Sequence, residues 1–170
     1  VTIPYKKDVI PYLDELDDDA RSIGAVNTIV NRSGRLTGHN TDCSGFRYMM
    51  KKAGVKPAGK KTLVLGTGGA AQAILAALSY EQAGPIISVS RTGKGGAVTY
   101  EESARLHRDA RLIINTTPAG MYPDVDAAPL DLTPYTGCEA VLDIIYNPSE
   151  TRLTAQAKAL GMKAATGLTM

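Results

Sequence analysis

Aromatic residues, cysteine and histidine are scarce in this sequence of 170 residues, which has no Trp, one Phe, two Cys and two His. Proteins that bind single-stranded nucleic acid stack its bases on aromatic side chains, so the shortage argues against that class. A net charge of +2 is also too small to indicate a nucleic-acid or membrane partner. Cys43 and Cys138 lie far apart, and their spacing fits neither a zinc site nor a disulfide framework.

Long apolar runs are also missing, and none approaches the roughly 18 residues that a membrane helix needs. No signal peptide is recognisable either. The two cysteines fit reduced, buried thiols of a cytosolic protein, so we expect a cytoplasmic location. The composition is 44% apolar and 21% charged, which is typical of a globular protein with a buried core.

A break rich in Gly and Pro at residues 54–59 divides the chain into two patterns. The front part predicts a small α+β unit, with a helix that begins at Thr41 or Asp42 and ends near Ala53. The rest of that unit is predicted as a strand at 1–4, a helix at 7–19, and a hairpin of strands 25–30 and 36–40 around the turn 31–34.

After the break, strands and helices alternate along the chain. This alternation predicts an α/β fold, a Rossmann-like doubly wound parallel sheet with helices on both faces. The predicted strands are 61–65, 86–90, 112–115, 141–145 and 163–166, and the predicted helices are 70–82, 101–107 and 149–160.

A glycine motif stands between the first of these strands and its helix. Gly66, Gly68 and Ala71 fill the pattern G-x-G-x-x-A. In a dinucleotide site the first Gly permits the tight turn, the second admits the pyrophosphate, and the small third residue packs helix on strand. A glycine-rich turn without a ligand is the alternative, and the strand and helix that flank the motif disfavour it.

The end of the second strand indicates which dinucleotide is bound. NAD sites usually carry an acidic residue there, whereas this chain has Ser90-Arg91-Thr92-Gly93-Lys94. Two cations and two hydroxyls suit a 2′-phosphate, and Arg91 offers forked donors, so we predict NADP rather than NAD. An ordinary exposed basic turn is the alternative, and it competes more strongly for Lys94 than for Arg91.

Candidates for chemistry lie in the front part, where Lys6 follows VTIP, Asn27 lies in GAVNT and Asp42 lies in GHNTD. A Lys beside an Asp can perform acid–base catalysis on an alcohol and ketone pair. Each residue also has a simpler interpretation. Lys6 could be a solvated turn residue, Asp42 only a helix N-cap, and Asn27 a strand residue bonded to backbone.

Taken together and in order, these motifs resemble the shikimate dehydrogenase family. The matching stretches are VTIPYK, IGAVNT, GHNTDCSGF, LGTGGAAQA, SRT, NTTPAGM, LDIIYNPSET and TGL. The resemblance implies a two-domain enzyme that reduces 3-dehydroshikimate to shikimate with NADPH, in the shikimate pathway of aromatic amino-acid biosynthesis. It implies a partial substrate-binding domain at 1–42, a linking helix and linker at 43–58, an NADP-binding Rossmann domain at 59–166, and the start of a return to the substrate domain at 167–170.

The resemblance also implies roles for individual residues. Lys6 and Asp42 match the catalytic pair, and both would contact substrate. Asp18 lies where the family sometimes contacts the nicotinamide end, although 17–19 also fits a solvated acidic run. The remaining implied residues are Thr2, Asn27 and Tyr146 for substrate, and Gly66, Thr67, Gly68, Gly69, Ala70, Ser90, Arg91, Thr92, Lys94, Ile144 and Gly167 for cofactor.

The sequence departs from the family pattern in two places. Ser90 stands where Asn is usual, and Cys43 stands where Gly is common. The family's first strand and helix, with two serines that hold the substrate carboxylate, would precede Val1. A closing helical segment with a substrate-contacting Gln would follow Met170.

Two alternative functions stay open on the sequence alone. One is a quinate/shikimate dehydrogenase that uses NAD, and the other is a non-catalytic nucleotide or metabolite sensor on the same fold. In each case the expected ligands are small molecules, and no metal, nucleic-acid or membrane partner is predicted. The oligomeric state is undetermined, with a homodimer among the expectations.

Overall fold

The computed structural model of the chain describes residues 1–2 and 4–170, which form two sheets. The smaller sheet has the strand order β1-β3-β2. Its strands are β1 (Glu15–Leu16), β2 (Thr28–Arg32) and β3 (Arg35–His39). β2 and β3 form the predicted antiparallel hairpin. Ser33 and Gly34 both have positive φ, 53° and 90°, as a two-residue type I′ turn requires.

The predicted strand at 1–4 and helix at 7–19 are wrong in the described residues. Val1 and Thr2 belong to no strand, Pro4 begins a turn, and Ile3 lies outside the described residues. The segment 7–19 holds a short 3-10 helix (Ile10–Tyr12), β1 and the start of α1 (Asp18–Ile23). Pro11 explains the difference, because it lacks an amide hydrogen and its ring would clash with a carbonyl one helical turn earlier.

The larger sheet has five strands in the order β5-β4-β6-β7-β8, and all of its pairings are parallel. This confirms the predicted doubly wound α/β fold, and every strand and helix predicted after residue 60 is present within a few residues. The elements are α2 (Asp42–Lys52), β4 (Thr62–Leu65), α3 (Gly69–Tyr80), β5 (Ile86–Val89), α4 (Tyr100–Leu106), β6 (Leu112–Asn115), β7 (Ala140–Asp143), α5 (Arg152–Ala159) and β8 (Lys163–Thr166).

Apolar side chains cover both faces of the larger sheet. On one face, Phe46 and Met49 of α2 and Ile74 of α3 pack with Val64 and Ile114 of the strands. The opposite face carries α5 and the segments around Ala110 and Tyr135. α2 therefore joins the front unit to the sheet, and it also contacts the closing 3-10 helix Gly167–Thr169. Among the described residues, no helix has the length and apolar character to cross a membrane.

Candidate active site

The glycine motif forms a tight turn at the carboxyl end of β4. Gly66 has a φ of 107°, and a Cβ there would lie 2.7 Å from Thr116 Oγ1. Gly68 caps α3, and a Cβ there would meet no described atom within 4 Å. Ala71 is fully buried between helix and sheet. The three positions therefore provide the turn, the open approach and the close packing that a dinucleotide site needs.

An open cleft of about 1080 Å³ lies over the ends of β4, β5 and β6. The N-terminus of α3 faces it, and the free amides and the dipole of a helix N-terminus favour a phosphate. The loop after β6 and Met121 also line this cleft. Its lining is Pro4, Lys6–Asp8, Gly66–Ala70, Ser90–Thr92, Tyr100, Thr116–Ala119, Met121–Asp124, Ala128 and Pro129.

The basic turn after β5 contributes its first three residues to the cleft. Ser90 Oγ accepts a hydrogen bond from the Gly93 amide at 3.1 Å, which shapes the turn. Arg91 is exposed, and within the described part of the chain its guanidinium has no ion-pair partner. A free guanidinium at the end of the second strand fits a 2′-phosphate. Lys94 belongs to the same turn but not to the cleft lining.

Lys6 and Asp42 form an ion pair, with Nζ 2.5 Å from Oδ2. Their side chains are only 12% and 20% exposed. Asn27 Nδ2 donates to the other carboxylate oxygen of Asp42 at 2.8 Å. The structure thus brings together the three residues that the sequence singled out. The simpler interpretations of Lys6 as a solvated residue and of Asp42 as only a cap are wrong.

Hydrogen bonds to the backbone on both sides fix the position of this pair. The Asp42 amide donates to Asn40 Oδ1 at 3.0 Å, and Asn40 Nδ2 donates to the Ala25 carbonyl at 2.9 Å. The Val26 amide donates to the Lys6 carbonyl at 2.7 Å. A Cβ on Gly69 would lie 3.4 Å from Lys6 Cβ, so Lys6 lies against the start of α3. Lys6 therefore belongs both to the ion pair and to the cleft wall.

Other residues predicted from the resemblance lie outside the cleft lining. Thr2 is exposed, Tyr146 is 67% exposed on the loop after β7, and Asp18 is exposed in the first turn of α1. Gly167 lies against Ile144, and a Cβ there would be 2.1 Å from the Ile144 carbonyl oxygen, so only Gly fits. Among the described residues, no group of three or more His, Cys, Asp or Glu could hold a metal ion.

A buried polar network beside the cleft was missed by the sequence analysis. Asp143, at the end of β7, has no exposed surface and accepts hydrogen bonds from Asn115 Nδ2 at 3.1 Å and Thr151 Oγ1 at 2.8 Å. Asn115 Oδ1 in turn accepts from the Thr117 amide at 2.9 Å. Because Thr117 lines the cleft, Asp143 supports the cleft wall from behind. The available signal was a carboxylate that ends an otherwise apolar strand.

Burial raises the pKa of Asp143, and the hydrogen bonds from Thr151, Ile145 and Asn115 oppose that rise. Replacing Asp143 by Asn should therefore change how stability depends on pH. The unfolded chain loses the Asp143 carboxyl proton near the ordinary Asp pKa of 3.8, whereas the folded protein keeps that proton up to a higher pH. The free energy of unfolding contributed by Asp143 then falls as pH rises through that window.

The Asp143→Asn variant lacks this contribution and should gain stability relative to the parent as pH rises. Urea unfolding over a series of acidic pH values measures the difference. Asp131→Asn is the matched control, because hydrogen bonds from Thr133 lower the pKa of Asp131. The stability of this variant relative to the parent should therefore fall as pH rises, which is the opposite direction. The same sign for both variants would contradict this account of Asp143.

Comparison with known proteins agrees with the site. Residues 1–29 match the family model described as the shikimate dehydrogenase substrate binding domain. The shikimate dehydrogenase (NADP(+)) of Moorella thermoacetica is 39% identical over the whole of this chain. The chain spans 64% of the length of that relative, which is less than two thirds.

Solved structures give the same result. A chorismate mutase/shikimate 5-dehydrogenase fusion protein from Clostridium acetobutylicum superposes with a TM-score of 0.91 at 38% identity, over 99% of this chain and 64% of that one. Shikimate 5-dehydrogenase from Thermus thermophilus, solved with NADP(H) and shikimate, gives a TM-score of 0.84 at 36% identity, over 98% and 65% of the two chains. The chain belongs to the shikimate dehydrogenase family.

Proposed function

We propose that the protein reduces 3-dehydroshikimate to shikimate with NADPH, in the shikimate pathway. One observation carries the proposal. Lys6, which is ion-paired with Asp42, lines the same cleft as the glycine turn and Arg91. An NADP-dependent alcohol dehydrogenase requires at least a proton donor and a dinucleotide site that lie in one cleft. The choice of substrate and cofactor rests on the relatives, a shikimate dehydrogenase (NADP(+)) and a shikimate 5-dehydrogenase solved with NADP(H) and shikimate.

The cofactor residues divide by the part of NADP that they would hold. The turn from Gly66 to Ala70 and the first amides of α3 would bind the pyrophosphate, since a Cβ at Gly68 would meet no described atom. Ser90, Arg91 and Thr92 would bind the 2′-phosphate. Weaker contacts at the edge of the site are proposed for Lys94, Ile144 and Gly167, none of which lines the cleft, and for Asp18 at the nicotinamide end.

When bound, NADPH supplies a hydride to the ring ketone of the substrate. Lys6 Nζ donates the proton that turns the ketone oxygen into a hydroxyl. The positive charge of Lys6 also stabilises the negative charge that develops on this oxygen in the transition state. In the reverse direction Lys6 accepts that proton, and its remaining exposure lets it exchange protons with water.

Asp42 has the second role. Its Oδ2 contacts the Lys6 ammonium and its Oδ1 accepts a hydrogen bond from Asn27, so Asp42 orients the lysine. The carboxylate would also accept a hydrogen bond from a substrate hydroxyl. Asn27, Thr2 and Tyr146 would bind further polar groups of the substrate.

The domain assignment remains a proposal with the same boundaries. Residues 1–42 would be part of the substrate-binding domain, 43–58 the connection, 59–166 the NADP domain, and 167–170 the return. The location would be the cytoplasm, which suits the free thiols of Cys43 and Cys138.

The proposal is tested on the full-length protein by following NADPH oxidation with 3-dehydroshikimate. We expect turnover with this pair, and slower turnover when NADH replaces NADPH. Quinate with NAD, assayed in the oxidative direction, is the control reaction. A higher kcat/KM for that control would favour the quinate/shikimate dehydrogenase alternative. Binding of NADPH without turnover of either substrate would favour the sensor alternative and contradict the proposal.

A further inference from the structure

Tyr100, which the resemblance does not assign to the site, lines the cleft beside the basic turn. Backbone hydrogen bonds bring it there. The Ser90 amide donates to the Val98 carbonyl at 2.9 Å, and the Val98 amide donates to the Ser88 carbonyl at 2.9 Å. The segment that leads into α4 is therefore joined to the end of β5, and Tyr100 follows two residues later.

The start of α4 is held by a capping box. Thr99 Oγ1 accepts from the Glu102 amide at 3.1 Å, and the Thr99 amide donates to Glu102 Oε2 at 2.8 Å. Gly93 of the basic turn lies against the same residue, since a Cβ on Gly93 would be 3.2 Å from Thr99 Cγ2. The pairing of Val98 with β5 and the capping box at Thr99 thus fix the position of Tyr100 relative to the basic turn.

The Tyr100 side chain combines a fixed ring with an available hydroxyl. The ring packs against the apolar cluster on the α5 face of the larger sheet. The hydroxyl has no hydrogen-bond partner within the described part of the chain, although the residue is half-buried. Burial raises the pKa of Tyr100 and the nearby charge of Arg91 opposes this, so at neutral pH the hydroxyl keeps its proton and can donate it in a hydrogen bond.

The geometry points to Tyr100 as a specificity-determining residue, whose hydroxyl donates a hydrogen bond to the 2′-phosphate of the dinucleotide beside Arg91. This inference rests on the proposed function for the identity of the nucleotide. A phosphate dianion accepts several hydrogen bonds, and a neutral phenol can donate one of them without adding a charge to the site. The unphosphorylated nucleotide has no such acceptor, so the contact would favour NADP over NAD.

The test is Tyr100→Phe in the full-length protein, with NADP and NAD affinities measured by titration in the absence of substrate. The ring is retained, so the thermal unfolding midpoint should not change. We expect the Kd for NADP to rise by about tenfold, as for loss of a hydrogen bond to a charged group. The Kd for NAD should stay the same. Tyr48→Phe, an exposed tyrosine on α2, is the matched control and should change neither affinity.

An equal loss of affinity for NADP and NAD would overturn the inference, as would no loss for either nucleotide. A double variant with Arg91→Gln adds a second readout, because two donors on one phosphate should give non-additive effects. Failure of the inference is distinguishable from failure of the proposed function. Binding is measured without substrate, so a protein that selects NADP through Tyr100 but does not reduce 3-dehydroshikimate would fail only the second.

Discussion

Replacing Lys6 by Met in the full-length enzyme should lower kcat for 3-dehydroshikimate reduction by about 10²–10⁴-fold, the usual contribution of a positioned proton donor. Methionine keeps most of the length of the side chain but has neither the proton nor the charge. The cleft wall formed by Gly66–Ala70 and Arg91 would remain, so the Kd for NADP should change little. Steady-state kinetics and a separate nucleotide titration distinguish the two effects.

Lys7→Met is the matched control for this experiment. Lys7 is the next residue, it is exposed, and it also lines the cleft. The contact that separates the two lysines is the one with Asp42, which lies 2.5 Å from Lys6 Nζ. We expect Lys7→Met to retain most of the turnover. An equal loss in both variants would indicate that the cleft needs positive charge in general, and near-normal turnover of Lys6→Met would contradict its role as the donor.

The larger sheet was predictable because its signals are local. Strands such as Leu112–Asn115 are short apolar runs, and their alternation with helices determines the parallel topology. The front unit was less predictable, since the apolar spacing of 7–19 favours a helix although Pro11 prevents a continuous one. A periodic pattern reports which residues could share a face, but a single proline decides whether the backbone can place them there.

In the candidate site, contacts within one segment were predictable from the sequence, and contacts between distant segments were less so. The turn at Gly66 follows from its own sequence, because the positive φ and the close approach of Thr116 need Gly at that position. The ion pair of Lys6 and Asp42 joins residues that are 36 positions apart. The sequence offered both residues as candidates, but no local signal favoured this interpretation over the simpler ones until the family resemblance was considered.

Contacts that depend on strand order were the least accessible to sequence analysis. Asp143 reaches Asn115 because β7 pairs in parallel with β6, in a register that sets these two residues side by side. Tyr100 reaches the basic turn through the pairing of Val98 with Val89. Neither pairing has a signal in composition or spacing, so each required the folded structure.

Replacing Arg91 by Gln should weaken NADPH binding by about tenfold to a hundredfold, because charge-assisted hydrogen bonds to a phosphate are the strong ones. Glutamine retains a polar side chain of moderate length but loses the charge and the forked donors. NADH has no 2′-phosphate, so its KM should change little. The ratio of kcat/KM for NADPH to that for NADH should therefore fall by the same factor, while kcat with saturating NADPH is retained.

Lys94→Gln is the matched control, because Lys94 is an exposed cation of the same turn that does not line the cleft. A general electrostatic attraction would be weakened equally by either variant, and it would be screened by salt. Direct contact of the Arg91 fork with the phosphate predicts a large effect for Arg91→Gln and a small one for Lys94→Gln. Equal effects would contradict the contact, and a parent enzyme that already prefers NADH would favour the NAD-using alternative. Either result would also remove the ligand that we infer for Tyr100, because the inference places the Tyr100 hydroxyl on the same phosphate as Arg91 and both residues line the cleft.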